Sequence, residues 1–231
     1  MFKSAKKAHI LIIIFLIILA IPAIVSLLHK GFFVTDDAEW MIIRFSAFYQ
    51  ALHDGQFPVR FLDRLNFGYG YPVATFLYPG FMYLAVPLQV LHIGFVTSIK
   101  IVLGASMLFS CIFTYLWLRK FFDNFSSSIG ALFYLYTPYH LYDLYKRGSV
   151  GEVLALTIVP FILWQIERKS LLWSSLGIAF LIISHNTLAV LFLPLIFAYL
   201  IFQSKKKKTL LLNSLFLLLL GLGISAFFWL P

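Results

Sequence analysis

Asp36 and Asp37 stand side by side directly after a long apolar run. A paired carboxylate beside a membrane can act as a general base or hold a divalent cation. The same two residues also suit a helix start, because Asp36 with Glu39 has capping-box spacing and Asp37 suits the positive end of the helix dipole. One cap does not need two aspartates. Farther along, Tyr136, His140, Asp143 and Arg147 are spaced i, i+4, i+7 and i+11, on one face of a helix, where lipid would penalise polar groups. Such a face forms a hydrogen-bonded ladder closed by an Asp143 to Arg147 pair, or the wall of a polar cavity, and the two are compatible.

Three more clusters carry groups of this kind. In Arg147-Gly148-Ser149-Val150-Gly151-Glu152, Ser149 and Glu152 have capping-box spacing. Interfacial snorkelling with Lys146 accounts for Arg147 less well than an outward contact at the bilayer surface with a lipid phosphate or pyrophosphate, with two glycines allowing close backbone approach. In Ser184-His185-Asn186-Thr187, a serine or asparagine cap accounts for Ser184 or Asn186, which leaves His185 over as either structural or in direct contact with substrate. Arg60, Asp63 and Arg64 precede Asn66-Phe67-Gly68-Tyr69-Gly70-Tyr71-Pro72, a stretch that suits an interfacial anchor and also, through arginines beside tyrosines, sugars or phosphates.

The elements that position these residues belong to a membrane. The chain has 231 residues, 61% of them hydrophobic and only 12% charged, against roughly 25% charged in soluble domains. Cys111 is the single cysteine, so neither a disulfide framework nor a multi-cysteine metal site can form within the chain. Eight apolar runs stand out, at 10–28, 73–93, 97–118, 127–144, 150–166, 171–184, 187–203 and 210–230. The first exceeds a signal-peptide core and reads as a retained span with a cytoplasmic N-terminus. If all eight crossed, Arg119-Lys120, Arg168-Lys169 and Lys205 to Lys208 would face outward, against the positive-inside rule. The segment 73–93, interrupted by Pro79-Gly80 and Pro87 and studded with tyrosines, is the one to remove. Eleven Lys/Arg, with Lys3, Lys6 and Lys7 among them, then lie inside against seven outside, and seven of the nine acids lie outside. The net charge of +9 thus reports orientation rather than nucleic-acid binding.

These features predict an all-α membrane protein of about seven transmembrane helices, multi-pass in the cell membrane. Its long first outer loop, 29–97, is too aromatic and apolar to be disordered. Within it, Asp37 to Asp54 reads as an amphipathic helix with Met41, Phe45, Phe48 and Leu52 on one stripe, closed by Gly55 and Pro58. On this topology all four polar clusters fall on the outer face.

The order of these features resembles a family of bacterial and archaeal membrane proteins, the 6-pyruvoyl-tetrahydropterin synthase-related integral membrane proteins. These are close to the YfhO-like proteins and the wider GT-C glycosyltransferases. The likeness lies in Val34-Thr35-Asp36-Asp37 after the first span, Pro58-Val59-Arg60, Gly68-Tyr69-Gly70-Tyr71-Pro72, Leu77-Tyr78-Pro79, Thr137-Pro138-Tyr139-His140-Leu141-Tyr142-Asp143-Leu144-Tyr145-Lys146-Arg147-Gly148, Gly151-Glu152 and Ser184-His185-Asn186. It implies a single GT-C-like polytopic helical bundle over 1–231, with surface or re-entrant helices in the first outer loop. Such proteins normally continue through further spans, so the resemblance also implies the N-terminal part of a longer module. Pterin chemistry is not implied: that soluble enzyme uses a three-histidine zinc site, and the six histidines here show no paired ligand spacing.

The resemblance further implies transfer of a sugar from a polyprenyl-phosphate-linked donor to a cell-envelope glycan, lipid or protein acceptor on the non-cytoplasmic face. Asp36 or Asp37 matches the loop carboxylate of such enzymes and would deprotonate the acceptor. Arg147, with Arg60 or Arg64, would hold the lipid phosphate; Glu152, His185, Asn186, His140 and Asp143 are the remaining substrate-side candidates. A divalent cation at Asp36 and Asp37 is compatible with the residues but not required. Two other readings use the same residues: a GT-C-like scaffold that binds a lipid carrier or partner without turnover, and a transporter or lipid-handling protein. Transporters gather ionisable groups near mid-bilayer, whereas here they gather at one face.

Overall fold

A computed structural model describes the backbone of residues 2–204 and 208–230, and the side chains of 9–203, 212 and 215–230. Among the expected inner-face lysines, 205–207 lie outside the described residues, as do the side chains of Lys3, Lys6, Lys7 and Lys208. The described residues form α-helices without a strand; Leu62 and Tyr71 make a single antiparallel bridge. The helices are α1 (Phe2–Ile24), α2 (Ala38–His53), α3 (Val73–Phe76), α4 (Gly80–Val90), α5 (Phe95–Leu118), α6 (Asn124–Leu135), α7 (Pro138–Tyr142), α8 (Val150–Glu167), α9 (Leu171–Ser184), α10 (Asn186–Ser204), α11 (Lys208–Ile224) and α12 (Ala226–Trp229).

Four helical segments are long and apolar enough to cross a membrane, His9–Leu28, Phe95–Leu118, Val150–Glu167 and Asn186–Gln203, and the chain is a membrane protein on that ground. The other apolar runs are shorter or broken, among them the one expected not to cross. Run 73–93 divides into α3 and α4, and at 1.5 Å per residue the 11 residues of α4 cannot reach through a ~30 Å hydrocarbon layer. Run 127–144 is broken at Thr137, whose extended backbone (φ −53°, ψ 131°) is what a following proline demands. Beyond the break come α7 and one wide π turn, Asp143–Arg147.

The break corrects the expectation of one polar face. Tyr136 turns to donate to the Leu19 carbonyl of α1 (2.6 Å), and His140 is buried against the Tyr134 carbonyl (3.2 Å). Only Asp143 and Arg147 meet, at 2.9 Å.

The core is organised around α5 and α8, and α8 is the most enclosed of the four long segments, with 72% of its apolar window buried against 22% for the first and last. On α5 the buried positions Ser98, Val102, Ser106, Ser110 and Thr114 recur every four residues. Small residues at helical spacing allow backbones to approach where lipid supplies no hydrophobic driving force. Thr157 of α8 uses that proximity to donate to the Ser106 carbonyl (2.8 Å), while Ser110 and Thr114 return their hydroxyls to their own helix. Ser175 of α9 reaches the Leu217 carbonyl of α11 in the same way (3.1 Å).

Polar contacts define the two ends of the bundle. At one end His9 meets the Tyr115 hydroxyl (3.1 Å), and Trp117, Tyr199 and Glu167 join α5, α10 and α8. At the other, Lys100 at the start of α5 donates to the carbonyls of His29 and Gly31 beyond α1. Helices α1 and α5 therefore run antiparallel. α2 lies at this second end with Met41, Phe45 and Phe48 buried and Leu52 half-buried, the stripe expected from the sequence.

Replacing Ser106 by leucine overpacks the α5–α8 contact, and a loss of about 1–3 kcal/mol is expected. A lowered thermal midpoint in detergent, against no change for leucine at the exposed Phe109, is the check.

Candidate functional site

The loop before α2 is fixed to the π turn by backbone pairing. The Asp36 N–H donates to the Lys146 carbonyl (3.0 Å) and the Asp37 N–H to the Arg147 carbonyl (2.8 Å). Gly148 then ends the turn with left-handed backbone (φ +65°), and a Cβ there would lie 2.5 Å from the Thr35 hydroxyl and 2.7 Å from the Ala38 Cβ. Gly151 permits a second close approach, since its Cβ would collide with the Tyr78 ring and the Ser184 carbonyl. These two glycines bring the acidic loop, the π turn, the 77–79 segment and the 184–186 turn to one place.

Arg147 is at the centre. Its Nη1 donates to Asp143 Oδ1 at 2.9 Å and to Glu152 Oε2, although Asp143 is fully buried and Glu152 nearly so. The Tyr139 hydroxyl donates to the other oxygen of Glu152. His185 Nε2 lies 3.9 Å from Glu152 Oε2, and its ring packs against Tyr78 with centroids 4.5 Å apart. The Tyr78 hydroxyl is within hydrogen-bonding reach of Ser149 and feels the charges of Glu152, Asp37 and Arg44.

All three expected caps are overturned. Helix α2 begins at Ala38, whose N–H is accepted by the Thr35 hydroxyl (3.0 Å), and neither Asp36 nor Asp37 makes a side-chain cap. Ser149 sits at the N-cap of α8 without a side-chain cap bond: its hydroxyl is within reach of Tyr78, the Glu152 N–H goes to the Ser149 carbonyl (3.1 Å), and the Glu152 carboxylate is held by Arg147 and Tyr139. At the 184–186 turn the cap is His185 itself, whose Nδ1 accepts the Leu188 N–H (3.2 Å). Ser184 bonds back to the Phe180 carbonyl, and Asn186 donates to the Phe76 carbonyl (2.9 Å).

The two aspartates part company. Asp36 is exposed and pairs with Lys146 at 2.9 Å, and that hydrogen bond holds the lysine above its ordinary pKa. Asp37 is half-buried and faces the cluster, close enough for its charge to be felt at Tyr78 and Asp143. It has no side-chain hydrogen bond or ion pair among the described residues. Asp36 pairs with Lys146 rather than facing the cluster with Asp37, and no cluster of three His, Cys, Asp or Glu suited to a metal occurs among the described residues.

Other expected site residues are drawn elsewhere. Arg60 donates to the carbonyls of Phe227 (2.6 Å), Phe228 and Leu230 and so anchors the α12 segment. Arg64 donates to Ser46 (2.6 Å) on the rim of an apolar groove beside α2, and His140 faces Tyr134. The residues the structure adds are Arg44, Tyr78 and Tyr139. Arg44 lies seven residues after Asp37 and Tyr139 four before Asp143, spacings that share a helical face and could have signalled both. Compared with known proteins, the chain matches no family model and no curated protein.

Two outcomes follow from this geometry. Gly148→Ala strains the left-handed position and pushes the acidic loop off the π turn, with a stability loss above ~1 kcal/mol expected from thermal unfolding in detergent. Burial holds His185 below the ordinary histidine pKa of 6.5 against the pull of Glu152. Its charged form is thus disfavoured on folding, and the associated stability is present at neutral pH and lost as pH falls through the folded-state pKa. Side-chain NMR should show a midpoint below 6.5 with the proton on Nε2 at neutral pH.

Proposed function

We propose that this end of the bundle is the non-cytoplasmic face of a seven-span, GT-C-like membrane glycosyltransferase module. It moves a sugar from a polyprenyl-phosphate carrier to an acceptor hydroxyl. The observation that carries this reading is Asp37, a half-buried carboxylate whose side chain has no hydrogen-bond partner or counter-ion among the described residues, held beside an arginine-centred cluster at the end of an apolar helical bundle. A carboxylate so placed is free to take a proton.

In the proposed step Asp37 removes the acceptor hydroxyl proton as that oxygen attacks the anomeric carbon. The bond from that carbon to the carrier phosphate breaks, and the phosphate leaves with the electron pair. Charge grows on the leaving phosphate, and a cation near it lowers the barrier. Arg147 is already matched by Asp143 and Glu152, which makes it a poor lone acceptor of phosphate. Arg44 is better suited: it is half-buried, its charge is felt at Tyr78 as that of Asp37 is, and it has no ion pair or side-chain hydrogen bond among the described residues. Arg147 then acts by holding Asp143 and Glu152 in place. Asp36, Arg60, Arg64 and His140 have no part in the step.

A second reading has one observation in its favour. The neutralisation of Arg147 by two carboxylates is also what a scaffold would show that binds a carrier or partner without turnover.

Membranes containing the protein, supplied with a radiolabelled polyprenyl-phosphate hexose, separate these readings. Asp37→Asn should cut transfer by about a hundred- to ten-thousand-fold, the range of general-base assistance, while Asp36→Asn stays within a few-fold of wild type. Arg44→Gln should weaken use of the carrier at low concentration. Unchanged transfer in Asp37→Asn overturns the assignment; carrier binding without any transfer by the wild-type protein establishes the scaffold.

A further inference from the structure

The opposite end of the bundle holds a cavity with cations on one side, which plays no part in the proposed transfer. It has a volume of about 250 Å³ and is lined by His9, Leu116, Arg119, Lys120 and Trp164, from the start of α1, the end of α5 and the last turn of α8. One wall is cationic and the other apolar.

The cations here form no ion pair among the described residues, although Asp123 feels the charge of Arg119. Arg119 donates through Nη1 to the Phe122 carbonyl and lies within hydrogen-bonding reach of the Tyr115 hydroxyl, but its Nε is buried with no partner. Lys120 makes no ion pair or side-chain hydrogen bond among the described residues. Arg168 stacks on Trp164, 5.0 Å from the ring centroid. The acids nearby are otherwise engaged: Asp123 caps α6 by accepting the Ser126 N–H (2.8 Å), and Glu167 accepts from Tyr199 and Gln203. His9 completes the wall. The Tyr115 hydroxyl donates to Asn124, so His9 Nδ1 is the donor to Tyr115, and its Nε2 has no partner among the described residues.

A guanidinium N–H buried without an acceptor is costly, and an anion that accepts from it while meeting a neighbouring ammonium removes that cost. The apolar wall of the cavity and its surroundings favour an anion that belongs to a lipid. Phe121, Phe122, Leu172 and Trp173 are all more than half exposed at the same end of the bundle, where aromatic side chains mark the membrane interface. Basic pockets between helices at the cytoplasmic surface are suited to anionic headgroups.

We propose that this cavity binds the phosphate of an anionic phospholipid headgroup. Arg119 and Lys120 contact the phosphate oxygens, and Leu116 and Trp164 flank the apolar part of the lipid. The site is separate from the sugar-transfer end and stands whether or not that reading holds.

Native mass spectrometry of the detergent-purified protein, exposed to equal amounts of phosphatidylglycerol and phosphatidylcholine, tests it. Wild type should retain phosphatidylglycerol about tenfold better, because both lipids carry a phosphodiester but only phosphatidylcholine adds a cation that Arg119 and Lys120 repel. An R119Q/K120Q variant with unchanged helicity should lose that preference, and excess inorganic phosphate should not displace the lipid. Equal retention of the two lipids by wild type overturns the proposal without need of a variant. So does an unaltered preference in the double variant, or in the single Lys120→Gln and Arg119→Gln proteins if the double variant fails to fold. Displacement of the lipid by inorganic phosphate assigns the cavity to the free anion and overturns the lipid.

Discussion

Arg147 between Asp143 and Glu152 is the interaction on which the polar end of this protein depends. Two carboxylates buried in an apolar bundle need a cation within hydrogen-bonding distance, and removing the one they share would leave them uncompensated. The backbone is shaped to meet this condition. A π turn widens the helix at Asp143–Arg147, Gly148 reverses the chain in the left-handed region, and α8 begins so that Glu152 returns to the guanidinium within its first turn. Tyr139 and His185 then take up the remaining faces of Glu152.

Fixing the π turn also fixes what lies above it. The carbonyls of Lys146 and Arg147 accept the N–H groups of Asp36 and Asp37, so the orientation of the acidic loop is inherited from the arginine cluster. This docking separates two neighbouring aspartates into different environments. One is an exposed partner of a surface lysine, an arrangement that contributes little to stability. The other is half-buried and uncommitted, and a carboxylate in that condition has chemistry available to it. The same docking leaves Arg44 of α2 close to Tyr78 without a side-chain partner among the described residues.

The two ends of the bundle treat charge in opposite ways. At the end with Arg147, acids and bases are interleaved and mostly paired. At the end with Arg119, cations predominate and the two acids close by are occupied in capping and hydroxyl contacts. Between them the core relies on a stripe of small residues on α5, which brings α8 close enough for a side-chain hydroxyl to reach a carbonyl on the neighbouring helix. That contact sets the spacing of the helices that hold both ends.

Hydropathy and charge along the sequence were enough to determine an all-helical membrane protein, the buried stripe of α2 and the broken character of 73–93. Each of these follows from local composition and period: apolar length, the 3.6-residue repeat and proline placement read the same with or without neighbours. Partner choice among polar side chains does not. Asp36 and Glu39, or Ser149 and Glu152, have the spacing of a cap, yet Thr35 is the cap in the first case, and a distant arginine and tyrosine claim Glu152 in the second. Arg60 reads as a phosphate ligand but is drawn to carbonyls about 170 residues away in the chain, a contact no local pattern encodes. Only the tertiary structure decided which aspartate is free and which arginine is spent, because a buried charge goes to whichever partner the packing places within hydrogen-bonding distance, and sequence spacing fixes that distance only within a single unbroken helix.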